Sequence, residues 1–329
     1  MKFNSIWHPF ALTCSLFFAT STTFAVGKEE PSCVDNIQEV CFTQDQEVLA
    51  FRKAQIRELY QGLVFPGPIE VMKDPTVANH LFQEGYVRGR VTPLGTFTDF
   101  NGVVEYFYAL AANPQNHVTK VELVSVLGDE DQVSVNASLV FCKNGEAQCP
   151  AAGSLEEKKA TLTETGIFKF NKQNKIIYFD LIIPNLGAAQ DVGAKEPLTR
   201  AARIAGVCAF LTVGHVDPIT QQSVKGGTCT TYFDQKDDFG GASKFLAIPN
   251  APFLNCVAFM GSIPYGSYDR ANSNTFTCRQ THALLTPLRP EYHCQHVAYN
   301  GGGKCVDFTY ESFYEEIKAA EGEHVHTGH

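Results

Sequence analysis

The chain has 329 residues, of which 44% are hydrophobic and 19% are charged, a balance typical of globular proteins with sizeable cores. At about 150 residues per domain, this length predicts roughly two domains. The net charge is −9 and no run of five basic residues occurs, so nucleic acid is not expected as a partner, because phosphate binding needs clustered Lys and Arg.

The N-terminal segment has the features of a secretory signal. Lys2 supplies a positive charge, residues 10–19 are apolar, and Thr23 and Ala25 are the small residues that a signal peptidase reads. We therefore predict a signal peptide over 1–25 and a secreted, extracellular protein. The apolar run is shorter than the roughly 20 residues that cross a bilayer, and no membrane span is expected.

The cysteines predict a disulfide framework. Removal of the signal would take Cys14 with it and leave an even number of the 11 cysteines, as exported proteins usually have. We expect one bridge between Cys33 and Cys41 and another between Cys142 and Cys149, which bracket a short loop. The other six should form three bridges among themselves: Cys208, Cys229, Cys256, Cys278, Cys294 and Cys305.

Three helices are predicted first along the chain. A capping box of Thr43 and Gln46 begins the first, and the Pro-rich segment 65–68 ends it. Asp74 followed by proline begins a second, short helix, and a third runs from about 99 to 110.

From His117 the apolar period changes to two, which indicates strands. The polar turns between them predict an antiparallel meander. Its four strands are expected at about 118–127, 132–142, 160–170 and 175–183.

The second half differs in composition from the first. Residues 189–199 are predicted to be a linker, and 200–316 form a cysteine-rich domain with short helices near 255–260 and 276–285. The last residues, 317–329, are expected to be a flexible tail that contains histidines. Residues 26–43 are a polar N-terminal extension.

The order of helices and strands over residues 44–188 resembles the SnoaL-like group of the nuclear transport factor 2-like superfamily. The stretch from Val87 to Leu110, VRGRVTPLGTFTDFNGVVEYFYAL, carries this resemblance. It implies an α+β fold, a cone of three helices on a curved antiparallel sheet around an apolar pocket, followed by a disulfide-rich irregular second domain. Members include cyclases, isomerases and dehydratases, and also proteins that only bind or dimerise, so the fold does not decide the function.

The cysteine-rich domain resembles a module of fungal secreted proteins. The residues that carry this resemblance are CRQTHALL at 278–285, RPEYHCQH at 289–296 and GGKCVD at 302–307. It implies no activity.

Asp180 is the first candidate for chemistry, because it lies in the apolar strand 176–183. Burial raises the pKa of a carboxyl towards the range useful to a general base. Tyr178 shares its face, and Glu164 on the preceding strand is the other candidate acid. We expect Asp180 and Tyr178 to face the cone interior; the alternative is a structural carboxylate bonded to backbone or to a basic side chain. Many catalytic members of this group carry a second His–Asp pair in the sheet. No clear pair of this kind is found in the predicted strands.

A second set of residues is expected to bind a ligand in the pocket or at its mouth. Tyr106 and Phe168 would line the pocket, and Arg88, Arg90 and His80 would hold an anionic group. Surface charge on an irregular segment is the alternative for the three basic residues.

His282, His293 and His296 lie close together in sequence and can in principle hold zinc or copper. Their spacing matches no known ligand motif, and Cys294 is expected in a disulfide. We therefore expect structural histidines, no metal site and no cofactor.

Three functions remain open at this stage. The first is binding of a small apolar ligand in the cone, with the cysteine-rich domain as a cap or interaction module. The second is a cyclase, isomerase or dehydratase that uses a pocket carboxylate as general base. The third is a structural or interaction protein with a filled cone. Binding is preferred.

Asn136 belongs to the one Asn-x-Ser/Thr sequon, on the polar face of its strand. We predict that it is exposed and carries a glycan, which would leave the protein a monomer or a dimer through another face. Mass spectrometry of the secreted protein before and after enzymatic deglycosylation should show a mass change that the Asn136→Gln variant lacks. An unmodified Asn136 buried against a partner sheet would contradict both expectations.

Overall fold

The fold is known from a computed structural model that describes residues 39–111, 116–143, 159–187, 200–217, 220, 222–234, 251–267, 271–307 and 309. The predicted signal peptide, linker and tail lie outside the described residues. So do Cys33, Cys149 and the side chain of Cys142, and with them two of the predicted bridges, although Cys41 is disulfide-bonded. Within the described segments, no helix is both long and apolar enough to cross a membrane.

The helices of the first half lie where the sequence predicts them, with two corrections. Asp45, and not Thr43, caps the first helix, because its carboxylate accepts the backbone N–H of Glu47 at 2.8 Å. An additional helix follows the first, since Pro68 occupies an early helical position where its missing N–H costs nothing. These elements are α1 (Gln46–Gln61), α2 (Gly67–Lys73), a 3₁₀ turn (Pro75–His80) and α3 (Phe100–Val104), which continues as a π-helical turn (Glu105–Ala109).

A six-stranded sheet completes the first half, and the predicted α+β fold class is confirmed. The strands are β1 (Arg88–Thr92), β2 (Gly95–Phe97), β3 (Asn116–Gly128), β4 (Gln132–Lys143), β5 (Lys159–Phe170) and β6 (Ile176–Ile182). Their order is β2-β1-β6-β5-β4-β3. All neighbours are antiparallel except β1 and β6, which run parallel.

Aromatic side chains fill the closed end of this cone. Phe179 of β6 is fully buried, and its ring centroid lies 5.2 Å from that of Phe107 on the π-helical turn and 6.2 Å from that of Phe168 on β5. Gly89 of β1 leaves room for this ring, because a Cβ there would stand 2.5 Å from it. The concave face is thus closely packed at Gly89, and a larger residue there would clash with the Phe179 ring.

The second half is helical and is closed by disulfides. Its elements are α4 (Arg200–Thr212), β7 (Gly214–Val216), β8 (Ser223–Lys225), α5 (Thr230–Asp234), α6 (Pro252–Ser262), α7 (Phe276–Ala283), α8 (Pro290–Val297) and a 3₁₀ turn (Gly301–Gly303). The expected three bridges among the six cysteines are confirmed, as Cys208–Cys256, Cys229–Cys294 and Cys278–Cys305. They surround a second hydrophobic core.

All of the described residues belong to one compact unit, so the two cores are joined. Arg289 and His293 of the C-terminal half donate to the Glu105 carboxylate at 3.3 and 3.0 Å. Lys304 Nζ donates to the carbonyl oxygen of Thr96 at 3.4 Å. The cysteine-rich half therefore packs on the cone beside the β1–β2 turn and the π-helical turn.

We predict that Phe179→Ala lowers the free energy of unfolding by about 3–5 kcal/mol, because it removes a fully buried ring at the centre of the cone. Ile182→Ala is the matched control on the same strand. Ile182 lies on the outer face and is 50% exposed, so its loss should cost less than about 1 kcal/mol. Urea unfolding followed by circular dichroism measures both, and similar losses in the two variants would contradict this description of the core.

Candidate functional site

A cavity of about 260 Å³ lies within the cone and is the main candidate site. Its walls are mostly aliphatic and aromatic, from α1, the π-helical turn and the sheet. Thr281 and Leu284 of the C-terminal half also line it, so the cysteine-rich half contributes to the cavity wall. The remaining lining residues are Leu63, Leu94, Tyr106, Phe107, Leu110, Ala111, Val118, Leu139, Phe141, Leu162, Glu164, Ile183 and Leu186.

Glu164 is the one carboxylate among these lining residues, and it is 2% exposed. It lies on β5 opposite Ala137 of β4. Ala137 is fully buried in the core, and Glu164 points to the same side of the sheet. The hydroxyl of Tyr60 on α1 bonds one carboxyl oxygen and the hydroxyl of Tyr106 bonds the other. Burial raises the pKa of the Glu164 carboxyl, while the bonds from Tyr106 and Tyr60 act in the opposite direction.

The two tyrosines remain phenols over the physiological range. Burial, and next the adjacent Glu164, raise the pKa of Tyr60 and Tyr106 well above the usual value. Both hydroxyls are therefore available as donors to an ionised Glu164, and one must accept when Glu164 is protonated. The arrangement is an acid held in place by two phenols inside an apolar cavity.

The structure places Asp180 and Tyr178 outside the cavity, so the expected interior orientation is wrong. Phe179 between them is the buried residue, and side chains alternate along a strand. Asp180 instead pairs with Arg90 of the neighbouring β1, whose Nε donates to Oδ1 at 3.1 Å while Nη2 bonds the other oxygen. This is the basic partner that the sequence offered as the alternative.

Of the other residues predicted to bind a ligand, one lines the cavity and the rest lie elsewhere. Tyr106 lines the cavity. Phe168 is fully buried in the aromatic core beneath it. Arg88 and Arg90 belong to the outer face of β1, opposite Tyr178 and Asp180, and the predicted anion site at the mouth is not formed by them.

His80 is exposed and also lies away from the cavity. Its ring nitrogens lie 2.7 Å from the Val77 carbonyl oxygen and 2.7 Å from the Glu58 carboxylate. It is a surface residue of the helical layer.

A smaller cavity of about 70 Å³ adjoins the first, and the two share Leu94, Tyr106, Leu110 and Thr281. Glu105, His282, His293 and His296 also line the smaller cavity. The histidines come from α7 and α8 and the acid from the cone, so this cavity lies where the two halves meet.

The three rings are held in a buried, partly positive environment. Burial and the neighbouring His296 and His293 lower the pKa of His282, and burial together with His293 lowers the pKa of His296 to about 3. Both are thus neutral imidazoles at ordinary pH. His293 Nε2 lies 3.0 Å from Glu105 Oε2.

Two residues of these sites were missed by sequence reasoning. Neither Tyr60, in the first predicted helix, nor Glu105, in the third, was expected to have a functional role. A polar residue within an apolar helical face was the available signal in both, since buried polar groups need partners.

Comparisons with known proteins found a family match for part of the chain. The sequence of residues 252–308 matches a family described as the BfoA family C-terminal domain, which spans α6 to α8. No curated protein is significantly similar to the chain.

Several solved structures match over less than half of the chain. One is designated a SnoaL-like polyketide cyclase, from Jannaschia sp. CCS1, at 13% identity and a TM-score of 0.33, covering 47% of this chain and 99% of that one. Another is an LEH-like epoxide hydrolase of M. tuberculosis, at 7% identity and 0.31, covering 44% and 86%. A designed protein with a curved β-sheet matches at 19% and 0.29, covering 45% and 95%. The resemblance named from the sequence is found again, and at these identities and scores it carries no functional conclusion.

We predict that Glu164 makes the protein less stable as pH rises. Because burial raises the pKa of its carboxyl above the ordinary 4.5, the folded state keeps a proton that the unfolded chain loses. The free energy of unfolding therefore declines as pH rises from about 4.5 through the folded-state pKa. Glu164→Gln, which has no such proton, should lack this part of the decline.

Urea unfolding at a series of pH values measures the difference between the wild type and the variant. Asp180→Asn is the control, since it makes the same carboxyl-to-amide change on the outer face of the sheet. Parallel pH profiles for the wild type and Glu164→Gln would contradict the prediction.

Proposed function

We propose that this protein binds a small, largely apolar molecule in the cone cavity, with one polar group of the ligand placed against Glu164 and Tyr106. The observation that carries the proposal is an apolar cavity with a single buried carboxylate in its wall. A few polar groups within an apolar site are what fix the orientation of a small ligand.

The size of the cavity supports a ligand of one or two rings. At about 260 Å³, it is slightly smaller than the roughly 300–1,000 Å³ of sites for drug-sized molecules. Aromatic rings thus fill one part of the cone, while the cavity remains between Glu164 and the side chains of Thr281 and Leu284. This argues against the third hypothesis, in which side chains fill the whole cone.

We also propose that the protein acts outside the cell. The three disulfides of the C-terminal half support this location, because such bonds persist in oxidising compartments. The cysteine-rich half would then serve as a disulfide-stabilised cap over the cavity.

A specific observation favours catalysis as the second candidate function. Glu164 is a buried acid with a raised pKa beside a phenol donor, and such a pair can remove a proton next to a ketone while hydrogen-bonding its oxygen. Glu164 would be the base and Tyr106 the donor. The reaction class would be that of an isomerase, cyclase or dehydratase.

Binding can be tested with 2-naphthol and naphthalene as probes. We expect 2-naphthol to bind about tenfold more tightly than naphthalene, because its hydroxyl can hydrogen-bond to the Glu164 carboxyl group or the Tyr106 hydroxyl. Leu162→Trp, which fills the cavity wall, should abolish binding of both. Leu127→Trp is the matched control, since Leu127 is 66% exposed on β3.

Fluorescence titration of the folded variants gives these affinities. Should Leu162→Trp bind both probes as the wild type does, the cavity is not the binding site. Leu139→Phe, a smaller change in the same wall, supplies the measurement if the tryptophan variant fails to fold.

Catalysis is tested with 2-tetralone, a two-ring ketone, by following exchange of its acidic protons in D₂O by NMR. The wild type and Asp180→Asn should accelerate the exchange, and Glu164→Gln should not. Equal acceleration by Glu164→Gln and the wild type would remove Glu164 as the base. Binding of the ketone without any acceleration would leave the binding function and end the catalytic one.

A further inference from the structure

Three histidine nitrogens converge in the smaller cavity. His282 Nδ1 lies 3.4 Å from His293 Nδ1 and 3.2 Å from His296 Nδ1. His293 and His296 are three residues apart in α8, which puts them on one face of the helix, and α7 brings His282 to that face. His293 and His296 are 3% and 5% exposed, and one nitrogen of each of the three rings lies within 4.8 Å of the others.

These separations suit a tetrahedral metal ion. With metal–nitrogen bonds of about 2.0–2.1 Å, two imidazole ligands of a tetrahedral zinc ion have nitrogens about 3.3–3.4 Å apart. The two Nδ1 separations of 3.4 and 3.2 Å are close to that value.

His293 is held from the opposite side of its ring by Glu105, because Nε2 lies 3.0 Å from Glu105 Oε2. The other ring nitrogen, Nδ1, is the atom that lies beside His282 Nδ1. With Nε2 engaged by the carboxylate, Nδ1 is the atom of His293 that faces the other two rings.

Glu105 also supports a metal site, because it bonds the His293 nitrogen that faces away from the other two histidines. It is 4% exposed, and its Oε1 has no hydrogen-bond partner among the described residues. Metal-bound histidines commonly donate their second N–H to a carboxylate, which fixes the tautomer and raises the basicity of the ligand. The same carboxylate offsets part of the charge of a cation.

We propose that His282, His293 and His296 form a three-imidazole site for a divalent transition-metal ion, Zn²⁺ in the first instance, with Glu105 orienting His293. Nearby Cys278 and Cys305 are bonded to each other and do not ligate. This proposal replaces the expectation of purely structural histidines. It is independent of the ligand proposed for the larger cavity.

A fourth coordination position would open into the smaller cavity. Zinc sites with three protein ligands and an open position hold water or a substrate atom there. The two cavities share Tyr106 and Thr281, so a molecule in the larger cavity would lie beside this position.

The proposal is tested on the full chain, produced without a polyhistidine tag, in which the tail residues His324, His326 and His329 are all replaced by Gln. After chelator treatment and dialysis against Zn²⁺, this protein should retain one zinc per chain. X-ray absorption of the zinc-loaded protein should show three imidazole ligands. His282→Gln and His296→Gln in the same background should lose the ion.

Two further variants distinguish a specific effect on the zinc site from a general effect of substitution. Glu105→Gln should weaken zinc binding by about 10–100-fold, as removal of an orienting carboxylate does elsewhere. His80→Gln, an exposed histidine also paired with a glutamate, should bind as the background protein does. Absence of bound zinc from the tail-substituted protein, or its retention by both His282→Gln and His296→Gln, would overturn the proposal.

Discussion

A buried carboxylate holds the two halves of this protein together. Glu105 lies on the cone, yet both of its partners, Arg289 and His293, belong to the cysteine-rich half. At 4% exposure, loss of either partner by mutation would leave the carboxylate buried without full compensation, at a cost of several kcal/mol. Glu105 and His293 also line the smaller cavity, so this contact lies where α8 meets the cone.

The π-helical turn Glu105–Ala109 makes that contact possible. Successive residues of a helix point in different directions, so Glu105 reaches the histidines while Tyr106 reaches Glu164 in the cone. Single π-helical turns occur often at functional sites. One short segment thus supplies a polar residue to each cavity, Tyr106 to the larger and Glu105 to the smaller.

The two acids of the sheet have opposite environments because a strand has two faces. Glu164 and Phe168 lie on the concave face of β5, and Asp180 lies on the convex face of β6. Desolvation raises the pKa of Glu164. Asp180 is 24% exposed and is paired with Arg90. Only the acid on the concave face can act on a molecule in the cone.

The sequence by itself determined most of the secondary structure, the fold class and the fact that the six cysteines of the second half pair among themselves, since periodicity and cysteine parity are local or countable properties. It did not determine which face of β6 is buried, because apolar residues occupy both faces and Gly89 on another strand makes the room for Phe179. Glu164 was identified, but its partners lie 104 and 58 residues away. The histidine cluster needs two helices to meet. Such long-range contacts are set by how the halves pack, which no local pattern records.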